Sequence, residues 1–180
     1  MTLETRALDV TLANVGPGPD PLRLGELADA VAPADPQTTD EPDPAHESVV
    51  VLLHRDHHCG KCRRQIRAVA DRYDEFRDHG AEVVSIVPEP RGKAQEWQDA
   101  YDLPFPLCAD PEKTVGERFG QPVRFGLLGQ FSDLVGRMPA AIVLDVRDPD
   151  EIRIAHAHRG DSTLDRPEVD DLLEAVAGLE

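Results

Sequence analysis

With 180 residues, 40% of them hydrophobic, the chain is long enough for one domain with a real core and short for two, so residues 1–180 are expected to form a single domain. No apolar run is long enough to span a bilayer as a helix, which excludes a membrane role of that kind. The net charge of −16 excludes a nucleic-acid partner, because polyphosphate would be repelled rather than neutralised.

The opening Met1-Thr2-Leu3-Glu4 lacks the basic and then apolar run of a secretory signal, and the expected compartment is the cytoplasm. Leu8 to Val15 alternates loosely and meets the turn signal Gly16-Pro17-Gly18-Pro19-Asp20, which predicts a strand or hairpin followed by a helix near residues 24–31. Residues 32–47 are rich in proline and acid and predict an exposed loop. Ser48 to Leu53 is a continuous apolar, β-branched run, the pattern of a strand covered on both faces. From Gly60 to His79 the period changes: Ile66, Val69, Ala70, Tyr73 and Phe76 mark one face of a single long helix, with Gly80 as its C-cap.

Glu82 to Val87 predicts a second buried strand, stopped by Pro88 and Pro90. A helix follows over 93–101 with Trp97 inward, then an extended stretch at 105–108 and a helix over 112–119. Residues 120–138 are interrupted by glycine and carry no clear period. Ala140 to Val146 and Glu151 to His158 predict two strands joined through 147–150, and 167–179 a closing helix, with Asp165-Arg166-Pro167 as its cap and first turn. This order predicts an α/β fold, a mixed sheet with helices on both faces.

Three cysteines in a presumed cytosolic chain do not make a disulfide scaffold. Cys59 and Cys62 are spaced CxxC where a buried strand gives way to a helix. Free N–H groups and the helix dipole at that point favour a thiolate on Cys59, and Lys61, Arg63 and Arg64 add positive potential. Three readings stand on these residues: two-electron thiol chemistry, a metal site built from Cys59, Cys62 and one of His54, His57 and His58, or a silent interaction module. Cys108 reads as a half-buried structural thiol, and His156 and His158 as partly exposed strand surface. No phosphate-binding loop is visible, and no cofactor is expected. Lysine occurs only at Lys61, Lys93 and Lys113, and an acid-rich, lysine-poor surface suits a protein that works at high salt.

The segment VVVLLHRDHHCGKCRRQ resembles the active-site segment of the thioredoxin-like superfamily. It is similar in particular to the peroxiredoxin-like branch of the alkyl hydroperoxide reductase and thiol-specific antioxidant family, in which an Arg stands four residues before the motif, as Arg55 does here. AEVVSIVPEPRGKAQEWQDAYDLPFPLCADPEKTVGERFG continues the likeness, which covers residues 48–179. The resemblance implies a thioredoxin-like fold and a peroxide or disulfide substrate, with Cys59 attacking, Cys62 resolving and Arg55 stabilising charge. It also implies a cis Met138–Pro139 bond facing the cysteines, with Pro139 shaping the groove, and recycling by a thioredoxin or a low-molecular-weight thiol. The chain departs from the pattern at Asp56, where a Thr is usual in peroxiredoxins, at Leu53, where thioredoxins hold a buried Asp, and at His58, where an aromatic residue precedes the motif.

Overall fold

The computed structural model describes residues 3–29, 45–123, 136–148 and 150–179. Of the expected loop over 32–47, only 45–47 fall among them; most of 120–138 lies outside, as does Pro149 in the expected connection.

Seven strands form one sheet in the order β2-β1-β5-β4-β3-β6-β7. The N-terminal hairpin is present: β1 (Thr11–Asn14) pairs antiparallel with β2 (Leu22–Arg23). A short helix that sequence reading did not expect, α1 (Leu3–Leu8), precedes it, and α2 (Gly25–Asp29) follows. The turn is tight enough to need glycine at Gly16, where a Cβ would come within 2.5 Å of the Phe105 carbonyl and 2.7 Å of the Leu107 nitrogen. Asn14 organises the same turn. Its Nδ2 donates to the Pro17 and Pro19 carbonyls at 3.0 and 2.9 Å, and its Oδ1 accepts from the Gly16 and Leu107 N–H groups.

The centre of the sheet is β3 (Ser48–Leu53), buried along its whole length as its apolar run predicts. It runs parallel to β4 (Ala81–Val87), which runs parallel to β5 (Leu107–Ala109). On the other side β3 pairs antiparallel with β6 (Ala140–Asp145), and β6 with β7 (Arg153–Arg159), the exposed edge. Alternation along β3 divides the core. Val50 and Leu52 face α3 (Gly60–Asp71), α4 (Tyr73–Asp78), α5 (Arg91–Tyr101) and α7 (Val169–Ala177). Val49, Val51 and Leu53 face α1, α2 and α6 (Thr114–Arg118). Helices therefore cover both faces of a mixed sheet, the thioredoxin-like arrangement the sequence predicts.

The single helix expected over 60–79 is two helices, broken at Arg72 (φ −118°, ψ 21°). The break turns the chain so that Phe76 stays in the core and the Tyr73 hydroxyl donates to Glu82 at 2.7 Å. Arg72 is held there by Glu75 and by Asp170 of α7. Gly80 follows at φ +68°, the left-handed conformation that lets the chain leave α4 for β4. Met138–Pro139 is trans, contrary to the expectation for it; the cis bond among the described residues is Asp20–Pro21. Hydrogen bonds on both sides fix the chain before β6: Met138 N donates to Pro122 O, and Pro139 O accepts from Gly160 N, each at 2.9 Å. Among the described residues no helix is long and apolar enough to cross a membrane.

Candidate active site

The parallel strands β3 and β4 end side by side, with Leu53 opposite Ile86, and the loop 54–58 leaves from that end. In an α/β sheet the carboxyl ends of parallel strands are where ligands are met. Three buried groups shape the loop. Gln121 Nε2 donates to the His54 carbonyl at 3.0 Å and to the Met138 carbonyl at 2.9 Å, tying the loop to the start of β6. Arg137 donates to Gln121 Oε1, and the Arg137 carbonyl accepts from Arg55 Nε at 2.8 Å. Asp56 turns its Oδ1 onto the His58 N–H at 2.7 Å, so the carboxylate at the position of the family's Thr shapes the loop.

Cys59 is the N-cap of α3, with extended backbone (φ −64°, ψ 99°), and its Sγ accepts from the Cys62 N–H at 3.1 Å. Cys59 and Cys62 form a disulfide, with Cα atoms 5.2 Å apart. Cys59 is 5% exposed and Cys62 fully buried, so an attacking group meets Cys59 first. Cys108 lies in β5, buried in the core on the opposite face from the two motif cysteines, and burial pushes its thiol up to about 12. It is a structural thiol, inert at neutral pH.

The three histidines near the motif are engaged in different ways. His54 is buried against Ser85, edge-on to Trp97 at 5.3 Å, and burial pushes its pKa down to about 3, with the Arg166 charge acting in the same direction. It is a neutral core residue. His57 stacks on Trp97 and pairs through Nε2 with Glu96 at 2.8 Å, while the Trp97 indole donates to the His57 carbonyl. His58 is exposed. On β7, His158 pairs with Asp165 at 2.9 Å, and His156 is exposed.

The sequence places Arg166 in the first turn of the closing helix, and the structure puts it outside that helix. The helix begins at Val169 behind a capping box of Glu168 and Asp171. Arg166 instead reaches the site, with Nη2 3.9 Å from Cys59 Sγ. Burial, then the charge of Arg55, lowers its pKa to about 10, which leaves it a cation at neutral pH. The structure thus gathers Cys59, Cys62, Arg166 and, electrostatically, Arg55. Pro139 follows Arg137 and Met138, which are tied to the loop through Arg55 and Gln121. Sequence reading missed the site roles of Gln121, Arg137 and Arg166: Gln121 belongs to no local motif, and the local contexts of the two arginines, before Pro139 and before Pro167, point elsewhere.

A dithiol at a helix start, at the carboxyl end of a parallel strand pair and flanked by guanidinium groups, defines a thioredoxin-fold protein equipped for thiol chemistry. Residues 29–147 match the AhpC/TSA family, and the chain belongs to it. It is similar to the chloroplastic peroxiredoxin Q of Oryza sativa subsp. japonica, 31% identical over 91 residues, which are 51% of this chain and 38% of that protein. It is also similar to that of Sedum lineare, 32% identical over 51% of this chain and 44% of that one. The chain thus matches about two-fifths of the length of these curated relatives. The fold is shared with peroxidoxin BcpB from Mycobacterium tuberculosis (TM-score 0.69, 20% identity, covering 95% of this chain and 93% of that one). It is shared equally with peroxiredoxin Q from Xanthomonas campestris (TM-score 0.69, 16% identity, 99% and 96%).

Proposed function

We propose that residues 1–180 act as a single thioredoxin-like domain that reduces peroxides with the Cys59–Cys62 dithiol. The observation that carries this reading is the disulfide itself, formed at the N-cap of α3 in a chain of the AhpC/TSA family. The Cys59 thiolate attacks a peroxide oxygen, the O–O bond breaks, and the departing oxygen takes a proton and leaves as an alcohol or water. Cys59 is then a sulfenic acid; the Cys62 thiol attacks it, water departs, and the disulfide forms. Arg55 stabilises the charge developing on the peroxide oxygens. Pro139 fixes the start of β6, where the Arg137 carbonyl holds Arg55.

A thioredoxin or a low-molecular-weight thiol returns two electrons to the disulfide. A reducing cytoplasm is the compartment in which such a pair keeps cycling. A second reading, exchange with small disulfides, is favoured by Asp56, whose carboxylate, with Oδ1 on the His58 N–H, stands where the family's Thr would. Mass spectrometry after one equivalent of hydrogen peroxide tests the proposal. The expected product is a Cys59–Cys62 disulfide, absent in Cys59→Ser; a product linking Cys59 only to Cys108 would sink it.

A further inference from the structure

Arg166 is half-buried at the site, with part of its guanidinium shielded in a way that neither the loop nor the fold accounts for. Its Nη2 donates to the Thr163 carbonyl at 2.8 Å and lies 3.9 Å from Cys59 Sγ. Nε and Nη1 are buried without a hydrogen-bond partner. No carboxylate among the described residues pairs with the guanidinium, and the charge that acts on it is that of the cation Arg55. A partly buried charge without a counterion carries a desolvation cost that no carboxylate among the described residues offsets. The disulfide is neutral, and so cannot supply the missing charge.

We propose that Arg166 is the counterion of the Cys59 thiolate, a charge pair that exists only after reduction and shifts the Cys59–Cys62 couple toward its reduced form. This rests on the dithiol chemistry proposed above. A first thiolate of the reductant attacks the sulfur of Cys59, the more accessible of the two, the S–S bond breaks, and Cys62 departs and takes up a proton. A second reductant thiolate attacks the reductant's sulfur in the mixed disulfide, and Cys59 leaves as a thiolate beside Arg166. Two reductant thiols are oxidised to one disulfide, two electrons enter the pair, and of the two thiol protons one ends on Cys62 and the other goes to water.

The surrounding charges single out Arg166. From the loop come neutral His54, Arg55 held by the Arg137 carbonyl and facing Asp56 at 4.0 Å, His57 paired with Glu96, and exposed His58. The Glu89 carboxylate accepts from the His57 N–H, Lys61 and Arg63 stand on the first turn of α3, Asp165 pairs with His158, and Glu168 and Asp171 cap α7. Arg166 is the cation whose Nη2 is in contact with the sulfur. An opposite charge at this range lowers a thiol pKa by about one to three units.

The test compares wild type, Arg166→Gln, Arg166→Met and Arg166→Lys in the reduced full chain. Cys59 pKa is read from the pH dependence of iodoacetamide alkylation, and the redox couple from equilibration with dithiothreitol. The neutral variants are expected to raise the Cys59 pKa by about one unit or more and to shift the dithiothreitol equilibrium about tenfold toward the disulfide. Arg166→Lys is expected to retain most of the wild-type value, because it keeps the charge. In thermal melts the neutral variants should lose stability in the reduced form and not in the oxidised form. An unchanged Cys59 pKa in whichever neutral variant folds overturns the proposal, as does an equal loss of stability in both redox states. A wild-type protein that consumes no peroxide, yet whose Cys59 pKa depends on Arg166, supports this inference while sinking the peroxidase reading.

Discussion

At His54 the fold buries an imidazole between Ser85 and Trp97 and keeps it neutral, with a pKa pushed down to about 3 from an ordinary 6.5. The unfolded chain takes up a proton below pH 6.5 that the folded chain refuses, so this contribution is whole above that pH and is lost as pH falls toward 3. Denaturant unfolding should show wild type losing about 2 kcal/mol between pH 7 and pH 5, and His54→Gln losing clearly less. Parallel pH curves for the two proteins would show that His54 is not the group responsible. Arg55 carries a second expectation. Arg55→Ala should lower peroxide turnover by about ten- to a thousand-fold, the effect of removing one electrostatic stabiliser, and slow reduction of a small disulfide less, since no oxyanion develops there. The reverse order, measured by paired turnover assays, would replace the peroxidase reading with disulfide exchange. Cys59, Cys62 and Arg55 were legible because they share one short segment. Arg166 was not: 107 positions separate it from Cys59, and beside Pro167 its local context spells a helix start.

The strands were the most legible elements, because β3, β4 and β6 are buried on both faces and announce it by short runs of apolar residues rich in Val and Ile. Helix boundaries were less so. The apolar period runs through Arg72 without interruption, and at the break Arg72 pairs locally with Glu75 and across the fold with Asp170 of α7, a contact the local pattern does not contain. The same lesson applies to the β1–β2 turn, where glycines and prolines advertise a turn but give no hint that Asn14 joins it to β5. Asn14→Ala deletes four side-chain hydrogen bonds, to Pro17, Pro19, Gly16 and Leu107. It should cost about 1–3 kcal/mol, because the buried Leu107 N–H is left without its partner while the turn groups can bond to water. Asn14→Asp keeps the two acceptor contacts and loses the two donor ones, so urea midpoints should fall in the order wild type, Asp, Ala. A variant as stable as wild type would show that water replaces the side chain.

Across the whole molecule the balance of 19 basic against 35 acidic side chains sets a self-repulsion that solvent ions must screen. Raising salt from about 0.1 M to about 1 M shortens the screening length from about 10 Å to about 3 Å. Thermal midpoints should therefore climb steadily across a potassium chloride series, and full stability in dilute buffer would sink the expectation of a protein that works at high salt. Such titrations need an observable tied to the site, and the core supplies one. Trp97 is the chain's only tryptophan, packed in the same core cluster as Cys59 and Cys62, with its indole N–H on the His57 carbonyl at 3.2 Å. A disulfide nearby drains the excited state of an indole, whereas a dithiol does so far less. Emission should accordingly brighten when dithiothreitol opens the bond and dim again within a single turnover with peroxide, and Trp97→Phe should be dark throughout. Stopped-flow fluorescence would then time each redox half-reaction on the unlabelled protein, with its own indole as the clock.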